Sequence, residues 1–420
     1  MRKLFITSVI LLYAITITAQ SLNGSWTGEL KVGPTTLPLV LNISTDENGA
    51  NICTMDSPAQ SAKDIPTKID FISNDSLAVS VTMIGASFQG NLKGDELSGT
   101  FSQNGFQIPL VLKKGKTEVR RPQHPLPPYP YTTEEVTFTN ETDHATLAGT
   151  LTYPIGYEKM KKKKVPVVLM VSGSGQQNRD EEIFEHKPFL VIADYLARHG
   201  IASLRYDDRA TGASVGGEVK NATTLDFSHD AEAGVLFLRN TKKFGKIGVL
   251  GHSEGASIAF MLGAMRLPDF IISMAGIGVK GDEALTAQTN RILKLNGVPT
   301  ELSVEQYRQQ PAVADNPWMR WFIDYDPRPD IVNTRCPVFA INGDKDCQVL
   351  VDPNLKGIGK ALFKGRENLT KEYPSLNHLF QHCTTGLPNE YISIEETISP
   401  EVLEDIVEWI NIVKEKRVRR

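Results

Sequence analysis

Residues 116 to 131 read KTEVRRPQHPLPPYPY, and the hydrophobic pattern changes character across them. Proline fixes φ and lacks the amide donor, so five prolines in this stretch predict a semi-rigid extended linker between two folded parts. Upstream, over residues 20–115, short runs such as SWTGEL, LPLVLNI, SLAVSVTM, SFQGNL, ELSGTF and QIPLVLK recur, several of them alternating in polarity. Gly, Asn and Asp separate them, which predicts a small all-β domain, an antiparallel sandwich or a small barrel. It carries few groupings of acid, base and nucleophile and reads as an accessory domain. Downstream, over residues 132–420, apolar strands alternate with amphipathic helices: VPVVLMVSG, FLVIADYLARHG, IASLRYD, TLDFSHDAEAGVLFLRN, KIGVLG, EGASIAFMLGAMRL, FIISMAG, PVFAING, NLTKEYP and SPEVLEDIVEWINIVKEK. That alternation predicts an α/β domain, a doubly wound and mostly parallel sheet with helices on both faces. A stretch without strand signals, about 278–334, interrupts it.

Bulk composition excludes more than it names. With 45 Lys and Arg against 49 Asp and Glu, the net charge is −4, and no basic footprint for nucleic acid exists. The one basic run, Lys161 to Lys164, reads as a solvated loop before an apolar strand. The first residues, MRKLFITSVILLYAITITAQ, place Arg2 and Lys3 before a short apolar stretch and small residues ending at Ala19. This is the pattern of a secretory signal peptide over 1–19, cut before Gln20, with an uncleaved anchor as the competing reading. No cysteine stands near the cut for lipid attachment. The expected location is periplasmic or secreted, with no membrane association after cleavage.

Within KIGVLGHSEGAS, Ser253 lies between an apolar strand and a helix. A nucleophile at such a turn is pushed above the sheet, and only small neighbours tolerate the bend, hence Gly251 and Gly255. The N–H of Glu254 then opens the helix, free to donate to a developing oxyanion. A second G-x-S-x-G, GASVG around Ser214, has no strand before it and no helix after it. Serine is a weak nucleophile unless a base takes its proton and an acid orients the base. In this arrangement the chain order is Ser, acid, His. DKDCQV after a strand offers Asp344 and Asp346, and YPSLNHLFQH offers His378 and His382.

SGSGQQNRDE, RYDDRATGAS, GHSEG, GDKDCQV and NHLFQ together resemble the alpha/beta-hydrolase superfamily, in its branch of secreted bacterial carboxylesterases related to dienelactone hydrolases. The resemblance runs from about Thr132 to the C-terminus. It implies Ser253 as nucleophile, Asp346 as the acid and His378 as the base. It also implies an oxyanion hole from the Glu254 N–H and an N–H of SGSGQ, Ser174 first and Gln176 second. The insertion becomes a helical cap over the site, in which Trp318, Trp321, Phe322 and Tyr325 are core or pocket wall. Two positions depart from the pattern: Ser172 stands where relatives often carry His, and Ala210 where they usually carry Gly.

The implied activity is a secreted serine hydrolase cleaving carboxylic esters of small molecules through an acyl-enzyme, with no cofactor and no metal. A serine peptidase of the prolyl-oligopeptidase type and a non-catalytic binding module are the alternatives. His378, His382 and Cys383 have a spacing that also permits a metal site. Of Cys53, Cys336, Cys347 and Cys383, the pair Cys347 and Cys383 lies on converging loops, leaving a disulfide or free thiols open. His252 reads as structural or as part of the oxyanion surroundings, and His124, His144, His186, His199 and His229 as surface residues. Acyl and alcohol specificity, the accessory domain's role and the oligomeric state are left open.

Overall fold

The computed structural model describes residues 22–32, 35–58, 62–115, 120–364 and 367–415. The signal-peptide residues lie outside them. Contacts divide the chain between residues 117 and 118 into a β unit and an α/β unit.

Of the two β architectures expected, the first unit adopts the barrel. Eight antiparallel strands close on themselves: β1 (Gly24–Val32), β2 (Thr35–Thr45), β3 (Asn51–Ser57), β4 (Ala62–Ile72), β5 (Ser76–Val81), β6 (Ala86–Lys93), β7 (Glu96–Gln103) and β8 (Phe106–Lys114), with β8 returning to β1. Alternation along the strands turns Trp26, Leu41, Met55, Leu77, Val79, Phe88, Phe101 and Leu112 inward, so side chains fill the barrel. The indole of Trp26 is satisfied inside by the Leu22 carbonyl at 2.7 Å.

In the α/β unit the strands are β9 (Thr133–Asn140), β10 (Ala145–Thr152), β11 (Val167–Val171), β12 (Ala202–Tyr206), β13 (Val215–Gly216), β14 (Ile247–His252), β15 (Phe270–Met274), β16 (Val338–Gly343) and β17 (Leu369–Tyr373). The sheet order is β13-β10-β12-β11-β14-β15-β16-β17, with β9 also on β10. From β12 to β17 every pairing is parallel, and β10 runs antiparallel to its neighbours. The helices are α1 (Pro188–Arg198), α2 (Thr224–Thr241), α3 (Glu254–Ala264), α4 (Gly281–Leu295), α5 (Val304–Arg308), α6 (Pro311–Asp315), α7 (Pro317–Phe322), α8 (Arg328–Asn333), α9 (Val351–Ala361), α10 (Pro388–Tyr391) and α11 (Pro400–Glu415).

Strand periodicity splits the core in two. Val167, Leu169, Val249, Ile271 and Val338 pack on one face with α2, α3, α8 and α9. Val168, Met170, Leu250, Ile272 and Phe339 pack on the other with α1 and α11. Each such fully buried side chain contributes roughly 1.5–3 kcal/mol of transfer free energy, and uninterrupted apolar runs are what two covered faces require. α2 begins as its sequence suggests: Thr223 and Asp226 form a reciprocal capping box. Helices α4 to α8 occupy the interval that lacked strand signals.

Residues 120–131 do not stand free of the α/β unit. All five guanidinium donors of Arg121 find carbonyls: Glu185 (3.3 Å), Arg120 (3.4 Å), Ile394 (2.8 Å), Phe184 (3.0 Å) and Ile392 (2.8 Å). Gln123 adds bonds to the Thr397 N–H and the Ile398 carbonyl. No helix among the described residues is long and apolar enough to cross a membrane.

Candidate active site

Strand β14 ends and α3 begins around Ser253, whose backbone takes φ 54° and ψ −114°. A non-glycine residue there is strained and persists only where the surroundings over-determine it. They do: a Cβ on Gly251 would meet the Gly255 carbonyl oxygen at 2.0 Å, and one on Gly255 would meet the Val171 oxygen at 2.1 Å. The two glycines let strand, turn and helix interlock, and the Ser253 N–H donates to the Met274 carbonyl at 2.9 Å.

His378, on the loop after β17, presents Nδ1 to Asp346 Oδ2 at 2.8 Å, and both side chains are buried. Asp346 is itself fixed, since its Oδ1 accepts the N–H groups of Gln348 and Val349 at 2.8 Å each. Asp344 faces elsewhere and accepts the Ser375 N–H at 2.6 Å, tying two loops together. His382 is exposed and pairs with Glu396 at 2.9 Å. Among the described residues, no group of three His, Cys, Asp or Glu is placed to hold a metal ion. Ser214 is buried, donating to the Asp207 carbonyl and accepting the Ala148 N–H, which is a structural tie.

Of the candidate oxyanion donors, the Glu254 N–H stands at the first position of α3. The loop 172–177 lies against the serine, because a Cβ on Gly173 would come within 3.4 Å of Ser253 Cβ. In that loop the Gly173 N–H is committed to Glu181 Oε1 (2.7 Å) and the Gln177 N–H to Asp208 Oδ2 (2.9 Å). The N–H groups of Ser174 and Gln176 donate to no partner among the described residues. Ser172 anchors the loop, its hydroxyl reaching Asp208 at 3.1 Å. Burial pushes Asp208 up to about 8, the loop's hydrogen bonds oppose this, and the charges of Glu254 and Asp230 add to it.

The cap meets the elbow through one carboxyl. Glu254 Oε1 accepts the Trp318 indole N–H and the Thr224 hydroxyl, both at 2.6 Å, and burial raises its pKa. Trp318 stacks on Phe322 and Trp321 on Tyr325, with centroids 4.8 and 5.1 Å apart. Phe322 is buried in a small cap core with Ile277, Ala284 and Val349, and the other three rings pack against it.

One histidine departs from the sequence expectation, and the open question of the cysteines resolves to thiols. His144 and His199 are exposed, but His186 is fully buried between Thr397 Oγ1 (3.0 Å) and the Tyr391 carbonyl (2.9 Å). Desolvation lowers its pKa to about 4. An HKP tripeptide opening a helix gives no signal of burial. All four cysteines are free thiols; Cys347 donates to the Gly386 carbonyl at 3.1 Å and Cys383 to that of Ser375 at 3.6 Å. Glu181, Asp208 and the Trp318–Glu254 contact were given no role by sequence. The first two lay inside stretches that carried the resemblance, which was the only signal available.

Residues 186–340 match the protein family described as Serine aminopeptidase, S33. Over 329 residues the chain is 25% identical to Esterase EstD of Thermotoga maritima, covering 74% of this chain and 75% of that one. Similar solved structures include the esterase Pf2001 of Pyrococcus furiosus, 18% identical over 71% of this chain and 99% of that chain, with a TM-score of 0.47. Another is Est1E from Butyrivibrio proteoclasticus with ferulic acid bound, 18% identical over 66% of this chain and 100% of that chain, with a TM-score of 0.45.

Proposed function

We propose that this chain, a β-barrel followed by an α/β unit similar to alpha/beta hydrolases, is an exported serine esterase cleaving carboxylic esters of small molecules through an acyl-enzyme. The observation that carries the reading is the Asp346–His378 pair at 2.8 Å, on a loop whose His378 carbonyl contacts the residue preceding Ser253. Ser253 Oγ attacks the ester carbonyl while His378 Nε2 takes its proton. Asp346, bonded to Nδ1, holds the tautomer that leaves Nε2 basic and stabilises the imidazolium that forms. The tetrahedral oxyanion is held by the Glu254 N–H and the Ser174 N–H, with Gln176 as the other donor in reach. One such donor is typically worth about 3–4 kcal/mol at the transition state. Collapse expels the alcohol, which leaves with the proton from His378. Water then attacks the acyl-enzyme with the same base, releasing the acid and restoring Ser253.

A second reading, a serine peptidase, is favoured by the description of the matching family. Against a free-amine subsite stand the carboxyls near Ser253, each buried and bonded within the fold: Glu181 to His252, Glu254 to Trp318, Asp208 to Ser172. The test is a panel of p-nitrophenyl acyl esters beside aminoacyl-p-nitroanilides, with fluorophosphonate labelling in parallel. Ester turnover and labelling lost in Ser253→Ala and kept in Ser214→Ala are expected. Turnover of the anilides alone would move the assignment to the peptidase, and labelling that survives Ser253→Ala would remove the nucleophile. Export rests on residues 1–19; mature protein beginning near Gln20 by mass spectrometry is the expected outcome, and an intact Met1 on exported protein would contradict it.

A further inference from the structure

His252 stands between Gly251 and Ser253 at the end of β14, and the mechanism above gives it no task. Its ring is buried, and each nitrogen faces an oxygen: Nδ1 lies 2.9 Å from Glu181 Oε1, and Nε2 lies 3.0 Å from the His378 carbonyl. A carbonyl can only accept, and so can a carboxylate. A neutral imidazole would turn a lone pair toward one of them, whereas a doubly protonated ring satisfies both. Glu181 Oε1 accepts a second bond, from the Gly173 N–H at 2.7 Å. Phe189, Ile192, Met274 and Phe380 wall the pair, so its electrostatics act in an apolar setting. The charged and titratable groups facing the ring are Glu181 from the segment before α1, His378 with centroids 4.8 Å apart, and Asp346 beyond it. Burial opposes a charge on His252, but the carboxylate of Glu181 and its hydrogen bond, with the His378 carbonyl and Asp346, outweigh it and raise the ring's pKa.

We propose that Glu181 and His252 form a buried ion pair that positions the catalytic machinery, joining the oxyanion loop, the serine's strand end and the loop of His378 through three hydrogen bonds. Neither residue touches substrate. Glu181 holds Gly173 so that the next N–H, that of Ser174, is the one turned to the oxyanion. His252 holds the backbone of the base at a fixed height over Ser253. The inference rests on the serine-esterase reading. Its weight follows from the steep dependence of rate on geometry, where a displacement of about 1 Å costs on the order of 10²-fold.

The test uses the full-length protein with Glu181→Gln, His252→Gln and the double variant, assayed on one p-nitrophenyl ester and normalised to folded protein. Each single change is expected to lower kcat by about 10²-fold with KM nearly constant. The double variant should be no slower than the worse single, because either change already releases the loops. A merely structural pair would lower Tm while leaving kcat per folded molecule unchanged, and that result overturns the proposal. So does a double variant whose losses multiply. Removing one partner of a buried pair is strongly destabilising, so a second measurement is made on the unaltered chain. In ¹⁵N-histidine NMR, both ring nitrogens of His252 should carry protons at neutral pH, and a neutral ring overturns the proposal whatever the variants do. Ester turnover that survives Ser253→Ala would instead strike Ser253 as the nucleophile, and with it the serine-esterase reading.

Discussion

Replacing Asp346 by Asn probes the proposed orienting acid with almost no change in shape. The amide's orientation is decided by the backbone: Oδ1 accepts two N–H groups, Gln348 and Val349, at 2.8 Å each. An NH₂ in that place would face two donors, so the asparagine oxygen stays there and its NH₂ turns to His378 Nδ1, now 2.8 Å from Oδ2. Nδ1 must then offer a lone pair, and the ring proton moves to Nε2, the nitrogen proposed to accept the proton of Ser253. The wrong tautomer costs about 10⁴ in kcat in the best-studied triad, or roughly 5.4 kcal/mol at 1.36 per decade. The stability loss is smaller, because both backbone bonds survive as neutral ones. Exchanging charge-assisted for neutral hydrogen bonds costs about 1–2 kcal/mol, a Tm fall of roughly 2–3 °C for a unit of this size. Steady-state hydrolysis of p-nitrophenyl butyrate, with melting curves on the same samples, reads both numbers. Asp344→Asn is the control, since Asp344 bonds only the Ser375 backbone and should lose little turnover. Asp346→Asn retaining more than a tenth of kcat, or Asp344→Asn being the folded but inactive protein, would refute the argument.

Three further outcomes are expected. Asp208 is raised to about 8 by burial, above its unfolded value of roughly 4, so its stabilising contribution is complete below pH 4 and is lost as the pH climbs toward 8. Asp208→Asn, which does not titrate, should therefore lose less Tm between pH 5 and 8.5 than the unaltered protein, and parallel curves would speak against a buried neutral carboxyl. Ala210 is exposed and sits at φ 54°, so Ala210→Gly should stabilise by about 1 kcal/mol in a melting experiment; a lower Tm would contradict the strain. Thiol titration of denatured protein should find four thiols without reductant, and dithiothreitol should leave Tm unchanged.

Legibility in the sequence followed burial. The parallel strands are covered on both faces, so VPVVLMV and PVFAING read as unbroken apolar runs, and the glycines of the elbow mark a bend where a methyl group has no room. Strands β3 and β4 carry weak signals, since NICTMDS holds only three apolar residues and AKDIPTKIDFI exposes Asp64, Pro66, Lys68 and Asp70. The hairpin β9–β10 was hidden by threonines in TEEVTFTN and ATLAGTLT, and α9 by a proline and two glycines in VDPNLKGIGKA. Chain order brought Ser253, an aspartate and a histidine into one set, but choosing Asp346 over Asp344 needed the resemblance. Nothing in the spacing foretold that Glu181 would reach His252 across 71 positions, because a buried ion pair leaves no periodic trace.

The alternation that divides the core also decides where this enzyme can accept a change of length. One residue added to β14 would exchange the faces of Val249 and Leu250 and carry Ser253 to the wrong side of the sheet. No part of the elbow can absorb such a slip. Between α4 and α5, by contrast, residues 297–301 are all exposed, and each doubling of a flexible loop costs only about 0.6 kcal/mol. A change of length therefore belongs in that cap turn, where an insertion leaves Ser253, Asp346 and His378 in register.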